Sequence, residues 1–341
     1  MSNKNSTLVL LRHGQSTWNA IPTFTGWCDA PLTERGMTEA QAAGKLLKER
    51  GWNHFDRVFT SELTRAQITC QLALEQIYEP SDDGKTRLPR IETAWQLNER
   101  HYGALQGRHK QDPELISRYG KEQLTCWRRD FHAKPPPMDE YHVHYQAPPT
   151  PLHESLEDCQ NRVLPYWEDT IISTLKQPSQ TVLLVAHSNS LRALVAHLDQ
   201  IPISHIPNIH IPNSVPCLYH FNVDGEVISS LPLGSNRGEW LFSVENRERL
   251  RRKIGGSGAF ARAIFAAWDL NGDGILTKEE LTAGLTELKG ETDISVAAIA
   301  GKILEEVDQD GSQTLDLHEF EQFALEACRK FIPGLIEEDK F

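Results

Sequence analysis

The stretch that most restricts the fold of this chain lies near its N-terminus, where four apolar residues are followed at once by polar ones. Leu8 to Leu11 are typical of a buried strand in a parallel sheet. Arg12, His13 and Gly14 follow, so this strand would end in a guanidinium and an imidazole at the carboxyl edge of the sheet. Open α/β sheets bind their ligands at that edge. The segment therefore predicts an α/β protein with a ligand site beside His13.

The residue types in this segment suit a phosphate group. Gly14 allows the backbone to turn tightly and to approach an anion closely, and Ser16 and Asn19 add neutral hydrogen-bond donors. A neutral imidazole nitrogen can accept a phosphoryl group, which makes His13 a candidate nucleophile. An Arg-His-Gly triplet alone is also typical of polar residues at an ordinary strand end. Other parts of the chain must decide between the two interpretations.

Two further predicted strands end in polar residues. Thr181 to Ala186 is almost continuously apolar and leads into His187 to Ser190. Arg57 to Ser61 ends in small hydroxyl residues, and Arg65 follows near the start of a helix, whose positive dipole end favours an anion. Because the carboxyl ends of parallel strands meet at one edge, we expect His13, Arg65 and His187 to lie close together.

Charge is distributed unevenly along the 341 residues, which are enough for two domains. The formal net charge is −12, and the part from Ile254 to the end holds 7 Lys and Arg against 18 Asp and Glu. An acidic module on a nearly neutral body argues against nucleic acid and for cations or a basic partner. The chain has no apolar run of membrane-spanning length, and its six cysteines are scattered. We therefore expect free thiols, no membrane partner and a cytoplasmic location.

Composition also predicts the domain boundaries. We expect an enzyme domain over residues 1–233 and an acidic domain over residues 259–341. Residues 234–258 are a basic linker that ends in Gly255-Gly256-Ser257-Gly258, a flexible joint. Within the first domain, proline runs at 135–137 and 148–151 bracket a long extended excursion, which we interpret as a lid or a rim.

Several motifs stand in order from Leu8 to about Ser230. They are Leu-x-Arg-His-Gly-Gln-Ser-x-Trp-Asn from Leu10, Phe-Thr-Gly-Trp from Phe24, Thr-Ser-x-Leu-x-Arg-Ala from Thr60, Leu-Asn-Glu-Arg-His-Tyr-Gly-Ala-Leu-Gln-Gly from Leu97, and Trp-Arg-Arg from Trp127. Together they resemble the 2,3-bisphosphoglycerate-dependent phosphoglycerate mutases of the histidine phosphatase superfamily. The Arg-His-Gly element indicates only the superfamily, whereas the loop from Asn98 and the Arg128-Arg129 pair indicate the mutase branch.

The resemblance implies a doubly wound, mostly parallel α/β sheet and the interconversion of 3-phosphoglycerate and 2-phosphoglycerate. It also implies a phosphohistidine intermediate primed by 2,3-bisphosphoglycerate, with no metal in the chemical step. On the matching positions, the catalytic residues are His13, Glu99, Arg12, Arg65 and His187. His13 would be the nucleophile and Glu99 the proton donor and acceptor. The substrate-binding residues are Arg12, Ser16, Asn19, Thr25, Gly26, Arg65, Glu99, Arg100, Tyr102, Lys110, Arg128, Arg129, Ser188 and Asn189.

Two places depart from the usual pattern of this family. Ser188 stands where the family has glycine, and Asn213-Ser214 stand where Thr-Gly follows the proline. If residue 188 requires a positive φ, serine strains the backbone by about 1–2 kcal/mol. If only the N–H of residue 188 contacts phosphate, serine serves as well. We favour the second alternative. His101 is expected to orient its loop rather than to react.

The acidic domain contains two twelve-residue segments with the spacing of EF-hand calcium loops, at 269–280 and 308–319. They predict a calmodulin-like, all-α EF-hand pair that binds calcium. The predicted ligands are Asp269, Asn271, Asp273, Ile275 and Glu280 in the first loop and Asp308, Asp310, Ser312, Thr314 and Glu319 in the second. In the second loop Gln313 occupies the turn position where glycine is expected, which should strain and weaken that site. The alternative is a structural pair that binds little calcium or prefers magnesium.

Three functions remain open from the sequence. The first is a mutase with a calcium module that has a regulatory role, the module docking on residues 240–254 when calcium binds. The second is a histidine phosphatase, or a bisphosphoglycerate mutase and phosphatase, on the same scaffold. The third is a calcium-sensor binding protein with a vestigial enzyme domain. The sequence does not decide whether the chain forms homo-oligomers.

Overall fold

The computed structural model describes residues 5–78, 88–229, 233, 237–243, 265, 268–269, 275–289, 294–308, 311–316 and 319–320. Contacts between Cα atoms divide the chain into two compact units. The first contains Met1–Ser230 and Arg237–Ser243, and the second contains Leu231–Asn236 and Val244–Phe341. Among the described residues, no helix is both long and apolar enough to cross a membrane.

The first unit is built on a seven-stranded mixed sheet. Its strands are β1 (Ser6–Arg12), β2 (Arg57–Thr60), β3 (Ile91–Thr93), β4 (Thr181–Ala186), β5 (Cys217–Phe221), β6 (Val227–Ile228) and β7 (Glu239–Trp240). The order across the sheet is β3-β2-β4-β1-β5-β6, and β7 also pairs with β5. The first four strands in this order are parallel. Strand β5 runs antiparallel to β1 and forms a hairpin with β6, as the turn residues Asp224-Gly225 between the two strands predict. The predicted α/β class is confirmed.

Helices cover both faces of this sheet. They are α1 (Thr17–Ala20), α2 (Glu34–Glu49), α3 (Thr64–Ile77), α4 (Pro113–Tyr119), α5 (Lys121–Arg129), α6 (Leu156–Tyr166), α7 (Ile172–Leu175) and α8 (Ser188–Asp199). On β1, Leu8 and Leu10 pack in one buried cluster with residues of α6 and α8, whereas Val9 and Leu11 pack with residues of α2 and α3. The central strand is therefore buried on both sides, which explains its unbroken apolar run.

Hydroxyl residues in the sequence predict the starts of two helices, and the structure confirms both. The Thr33 hydroxyl accepts from Gly36 N at the start of α2, and Ser155 forms a reciprocal capping box with Asp158 at the start of α6. The segment from Tyr119 to Asp130 has a helical pattern in the sequence, and α5 covers Lys121–Arg129 within it. Gly120, with φ +78°, separates α5 from α4. The helix that starts at Leu156 contains one π-helical turn at Trp167–Ile171 before it continues as α7.

The structure places part of the predicted linker in the sheet of the first unit. Residues 237–243 belong to the first unit, since β7 pairs with β5 and Leu241 is buried in the core. Leu241 belongs to the cluster of Val9 and Leu11, whereas Trp240 packs against the cluster of Leu8 and Leu10. The part of the linker proposed as a docking segment for the acidic module is therefore reduced to 244–254, which lies outside the described residues.

Ser214 has a strained backbone conformation and is hydrogen-bonded to the end of β1. Its φ is +50°, its N–H donates to Arg12 O (2.9 Å), and its buried Oγ has no hydrogen-bond partner among the described residues. We expect Ser214→Gly to stabilise the first unit by about 1 kcal/mol, because it removes both the strain and the unpaired hydroxyl. Calorimetry should record a rise of about 2–4 °C in its unfolding midpoint.

The matched control for this prediction is Ser179→Gly. Ser179 has a similar φ of +60°, but its side chain is exposed. Ser179→Gly relieves only the backbone strain, so we expect a smaller rise in the unfolding midpoint. A lowered midpoint for Ser214→Gly would contradict the prediction.

In the second unit, the described residues form two helices and a short two-stranded sheet. Helix α9 spans Lys278–Lys289 and α10 spans Ile294–Val307. Strands β8 (Ile275–Leu276) and β9 (Leu315–Asp316) pair antiparallel. Buried apolar residues of these elements pack in one cluster with Phe265, Trp268 and Phe320. Helical spacing in the sequence also predicts EF-hand helices over residues 259–268 and 317–331. Within those two ranges the structure describes only Phe265, Trp268, Glu319 and Phe320.

Candidate active site

His13 lies directly after β1 and is 2% exposed. Its backbone N–H donates to Ala186 O (3.0 Å), and its ring Nδ1 lies 2.7 Å from Gly14 O. A carbonyl oxygen can only accept, so Nδ1 carries the proton and a neutral ring presents its lone pair on Nε2. This tautomer is the one that a nucleophilic imidazole needs.

His187 follows β4, the neighbour of β1, and its ring centroid lies 5.0 Å from that of His13. Burial lowers the pKa of His187 well below 6.5, and the positive charges of Arg65 and Arg12 lower it further. The ring is therefore neutral at physiological pH. Its Nε2 lies 2.7 Å from Ser61 Oγ at the end of β2. The sequence indicated only a small hydroxyl at position 61 and missed this contact.

Two arginines flank these histidines. The fully buried guanidinium of Arg65 donates to Cys28 O and Gly26 O, each at 2.8 Å. Burial lowers the pKa of Arg65 to about 10, so it stays charged at neutral pH. Arg12 Nη1 donates to Ile211 O (2.8 Å). Since Gly26 has φ +54° and packs against the Gln106 amide, glycine suits this position.

The predicted phosphate donors Ser16 and Asn19 bond to each other. Ser16 Oγ accepts from Asn19 N (3.1 Å), and Asn19 Oδ1 accepts from Ser16 N (3.2 Å), so the pair caps helix α1. These bonds leave the Ser16 hydroxyl proton and the Asn19 Nδ2 group as the donors for a ligand. Thr25 Oγ1 makes a long bond to Thr23 O (3.4 Å).

Glu99 is 7% exposed and lies between two backbone donors. Its Oε1 accepts from its neighbour Arg100 N (2.8 Å) and from Asn189 N (3.1 Å) in the first turn of α8. The loop after β3 thus brings a carboxylate to the turn that follows His187. A carboxylate beside the histidines can exchange a proton with a bound hydroxyl.

A second group of cations surrounds Tyr102. Arg100 is buried, its Nη2 donates to Tyr102 Oη (2.9 Å) and Arg128 O (3.1 Å), and its Nε and Nη1 have no partner among the described residues. Burial lowers the pKa of Lys110 and of Arg128, and neighbouring arginines add to both effects. The second residue of the predicted pair, Arg129, is exposed. This arrangement suits a second anionic group on the ligand.

The structure excludes the first alternative for Ser188, a strained backbone with positive φ. It is the first residue of α8 and is absent from the residues with positive φ, so serine causes no strain there. The next residue, Asn189, donates from Nδ2 to Tyr102 Oη (3.3 Å). The positive φ of this region falls instead on Ser214, the other departure from the family pattern.

Sequence reasoning missed a buried arginine behind this pocket. Arg192 Nη1 donates to Asn189 Oδ1 (2.8 Å), and its Nε donates to Ile209 O (3.0 Å). Burial lowers the pKa of Arg192 to about 10. The available signal was a charged residue within the apolar stretch from Leu191 to Ala196 of α8.

His101 orients its loop, as predicted, because its Nδ1 accepts from Gly103 N (3.0 Å). Burial lowers its pKa to about 4, and the charge of Arg162 adds to the shift. Below pH 6.5 the imidazole of residue 101 takes up a proton in the unfolded state but not in the folded state. The free energy of unfolding therefore decreases as the pH falls through 6.5. We expect a loss of about 1.4 kcal/mol per pH unit from pH 6 towards pH 4.

Urea unfolding at several pH values measures this loss, with His101→Asn as the comparison. Asparagine keeps an acceptor for the Gly103 N–H but does not titrate in this range. The variant should lose less stability on acidification than the natural protein. Equal pH dependence of the two proteins would contradict the assignment.

The predicted EF-hand ligands are only partly described. In the second loop, Asp308 accepts from the N–H groups of Gly311, Ser312 and Gln313 at 2.7–3.1 Å. The last carboxylates of the loops, Glu280 and Glu319, accept from Thr277 N and Asp316 N. Asp269, Ile275 and Thr314 are also described, whereas Asn271, Asp273 and Asp310 are not. Within the described residues, no group of three or more His, Cys, Asp or Glu side chains is arranged to hold a metal ion.

This protein thus has an α/β fold that gathers histidines and arginines at the carboxyl ends of its parallel strands. Comparison with known proteins identifies its family. The profile of the histidine phosphatase superfamily (branch 1) matches residues 8–232, and this chain belongs to that superfamily. A 2,3-bisphosphoglycerate-dependent phosphoglycerate mutase of Tropheryma whipplei is 44% identical over 220 residues, which cover 64% of this chain and 94% of the relative.

Solved structures agree with the fold. A mycobacterial structure described as hydrolase 1 superposes with a TM-score of 0.52 at 25% identity and covers 67% of this chain and 98% of its own. An alpha-ribazole phosphatase from Shigella flexneri superposes with a TM-score of 0.50 at 25% identity and covers 70% of this chain and 96% of its own. The superfamily thus includes relatives with different named activities.

Proposed function

We propose that this protein interconverts 3-phosphoglycerate and 2-phosphoglycerate through a phosphohistidine at His13, primed by 2,3-bisphosphoglycerate, in the cytoplasm. The observation that carries the proposal is the buried His13 ring, with Nδ1 held by Gly14 O and with His187 and its neighbouring arginines beside it. Phosphoryl transfer places charge on the oxygens of the moving group, and fixed cations stabilise that charge.

The proposed roles are those that the resemblance to the mutases implies, and the geometry of the site supports them. Arg12, Arg65 and His187 surround the moving phosphoryl group with Ser16 and Asn19 as further donors. Glu99 gives a proton to the oxygen that leaves phosphorus and takes it back from the hydroxyl that attacks next. The cations around Tyr102 hold the carboxylate of the substrate (Arg100, Lys110, Arg128 and Arg129). Thr25, Gly26, Ser188 and Asn189 complete the proposed wall of the pocket.

A coupled assay for 2-phosphoglycerate formation tests the proposal, with and without added 2,3-bisphosphoglycerate. A mutase primed in this way depends on the bisphosphate, whereas a histidine phosphatase releases inorganic phosphate and does not. The second candidate has support in the alpha-ribazole phosphatase that shares the fold. Release of phosphate without isomer formation would favour that candidate and overturn the mutase proposal.

We also propose that the second unit is an EF-hand pair that binds calcium and has a regulatory role. The paired strands β8 and β9 and the turn of N–H groups around Asp308 are the local features that support it. Asp269, Ile275, Glu280, Asp308, Ser312, Thr314 and Glu319 would supply oxygen ligands, with Asn271, Asp273 and Asp310. Isothermal calorimetry with calcium tests binding, and mutase rates in calcium and in chelator test regulation. Equal rates would reject the regulatory role.

Gln313 provides a sharper prediction for the second loop. Its φ is +62° and its side chain is exposed, so the residue is strained without packing in return. We expect Gln313→Gly to stabilise the second unit in calcium by about 0.5–1 kcal/mol, measured by calorimetry on the full chain. Gly311→Ala is the matched control and should destabilise the second unit, because Gly311 has φ +75°. A Cβ at this position meets open space, so only the backbone conformation opposes it. A lowered midpoint for Gln313→Gly would contradict the strain argument.

A further inference from the structure

Arg162 and Glu154 form a buried ion pair behind the loop that carries Glu99. Their side chains are 8% and 5% exposed. Arg162 Nε donates to Glu154 Oε1 (2.7 Å), and its Nη2 donates to Glu154 Oε2 (2.9 Å), so the pair is bidentate. Neither residue has a role in the proposed phosphoryl transfer.

The other hydrogen bonds of this pair go to the backbone of the loop. Arg162 Nη1 donates to Gln96 O (2.7 Å) and Asn98 O (3.0 Å), and its Nη2 donates to Glu99 O (2.9 Å). Glu154 Oε2 accepts from His101 N (2.8 Å). The ion pair therefore holds the loop on both sides of Glu99, through its main chain.

The fork of the guanidinium is essential to this arrangement. A single planar group reaches a carboxylate and three carbonyl oxygens, which a lysine ammonium cannot do in the same geometry. Arg162 also lies over the Trp27 ring, 5.5 Å from its centroid. Helix α6 supplies the arginine, and the glutamate lies just before that helix, at the end of the proline-rich excursion.

We infer that Arg162 and Glu154 are positioning residues, which hold the Glu99 carboxylate where it can exchange a proton with the substrate oxygen. This inference rests on the proposed function, because that proposal assigns the proton transfer to Glu99. In the step concerned, the His13 Nε2 lone pair forms the N–P bond and the P–O bond breaks. The electron pair of that bond stays on the ester oxygen, which takes the proton from Glu99.

Two phosphate esters with different leaving groups distinguish a misplaced Glu99 from a general loss of active-site structure. Single-turnover phosphorylation of His13 is measured with 2,3-bisphosphoglycerate, an alkyl ester, and with p-nitrophenyl phosphate, whose phenolate leaves without protonation. For Arg162→Lys and Glu154→Gln, we expect the rate with the alkyl ester to fall roughly 10- to 100-fold. The rate with the aryl ester should fall less than about threefold, since it does not need the acid.

Arg237→Lys is the matched control. Arg237 and Asp199 form another buried ion pair, 10% and 0% exposed, at the far end of α8. This variant should keep both rates. Glu154→Gln keeps the shape of its side chain, so the comparison does not depend on the lysine variant folding. Equal losses with both esters, or no loss with either, would overturn the inference. A natural protein that forms no phosphohistidine from either ester would overturn the proposed function, and this inference with it.

Discussion

Replacing His13 with alanine should lower the rate of phosphoglycerate interconversion by roughly four orders of magnitude or more. The variant has no ring nitrogen to accept the phosphoryl group, while Arg12, Arg65 and His187 remain to bind the substrate. The Michaelis constant should therefore change much less than the turnover number. Incubation with labelled 2,3-bisphosphoglycerate should label the natural protein and leave the variant unlabelled.

A second histidine serves as the control for this experiment. His205 is half-buried in a short 3-10 helix and has no proposed role. His205→Ala should keep its phosphorylation and its turnover. Interconversion at undiminished speed by the His13 variant would contradict the whole enzymatic proposal, whatever the acidic unit binds.

Replacing Glu99 with glutamine should lower the turnover of phosphoglycerates by roughly 10²- to 10⁴-fold. Glutamine can still accept from Arg100 N and Asn189 N, so the loop keeps its hydrogen bonds. It cannot give or take a proton, and the ester oxygen must then leave as an alkoxide. Turnover of p-nitrophenyl phosphate should fall far less, because that leaving group needs no proton.

The ratio of the two turnover rates, phosphoglycerate against p-nitrophenyl phosphate, measures this role independently of the amount of folded protein. Glu92→Gln is the control, because Glu92 pairs with Arg57 on the partly exposed edge of the sheet. A Glu99 variant with equal losses for both esters would show that residue 99 supports the pocket without transferring a proton.

Local sequence signals predicted the parts of the fold that depend on near neighbours. The unbroken apolar run at Leu8 to Leu11 indicated a strand buried on both faces, and the two core clusters explain it. Thr33 and Ser155 marked helix starts because their hydroxyl groups bond within three residues. The hairpin of β5 and β6 followed from the turn at Asp224-Gly225 between them.

The misses involve partners that are distant along the chain. Strand β7 joined the first unit because it pairs with β5 and Leu241 fits the core. Ser61 lies beside His187 although 126 positions separate them. Arg162 and Arg192 had no motif to reveal them, because their partners are mostly backbone carbonyl oxygens.

The sequence by itself determined the strands, the helix starts and the residue types available at the strand ends. Hydrophobic period and capping depend on interactions within a few residues, so they can be read along the chain. Only the tertiary structure decided that Nδ1 of His13 faces Gly14 O, that Ser188 is unstrained while Ser214 is strained, and that an arginine and a glutamate hold the Glu99 loop. Those outcomes depend on the exact backbone and side-chain conformation at each position and on contacts between residues far apart in the chain, and no local pattern in the sequence encodes them.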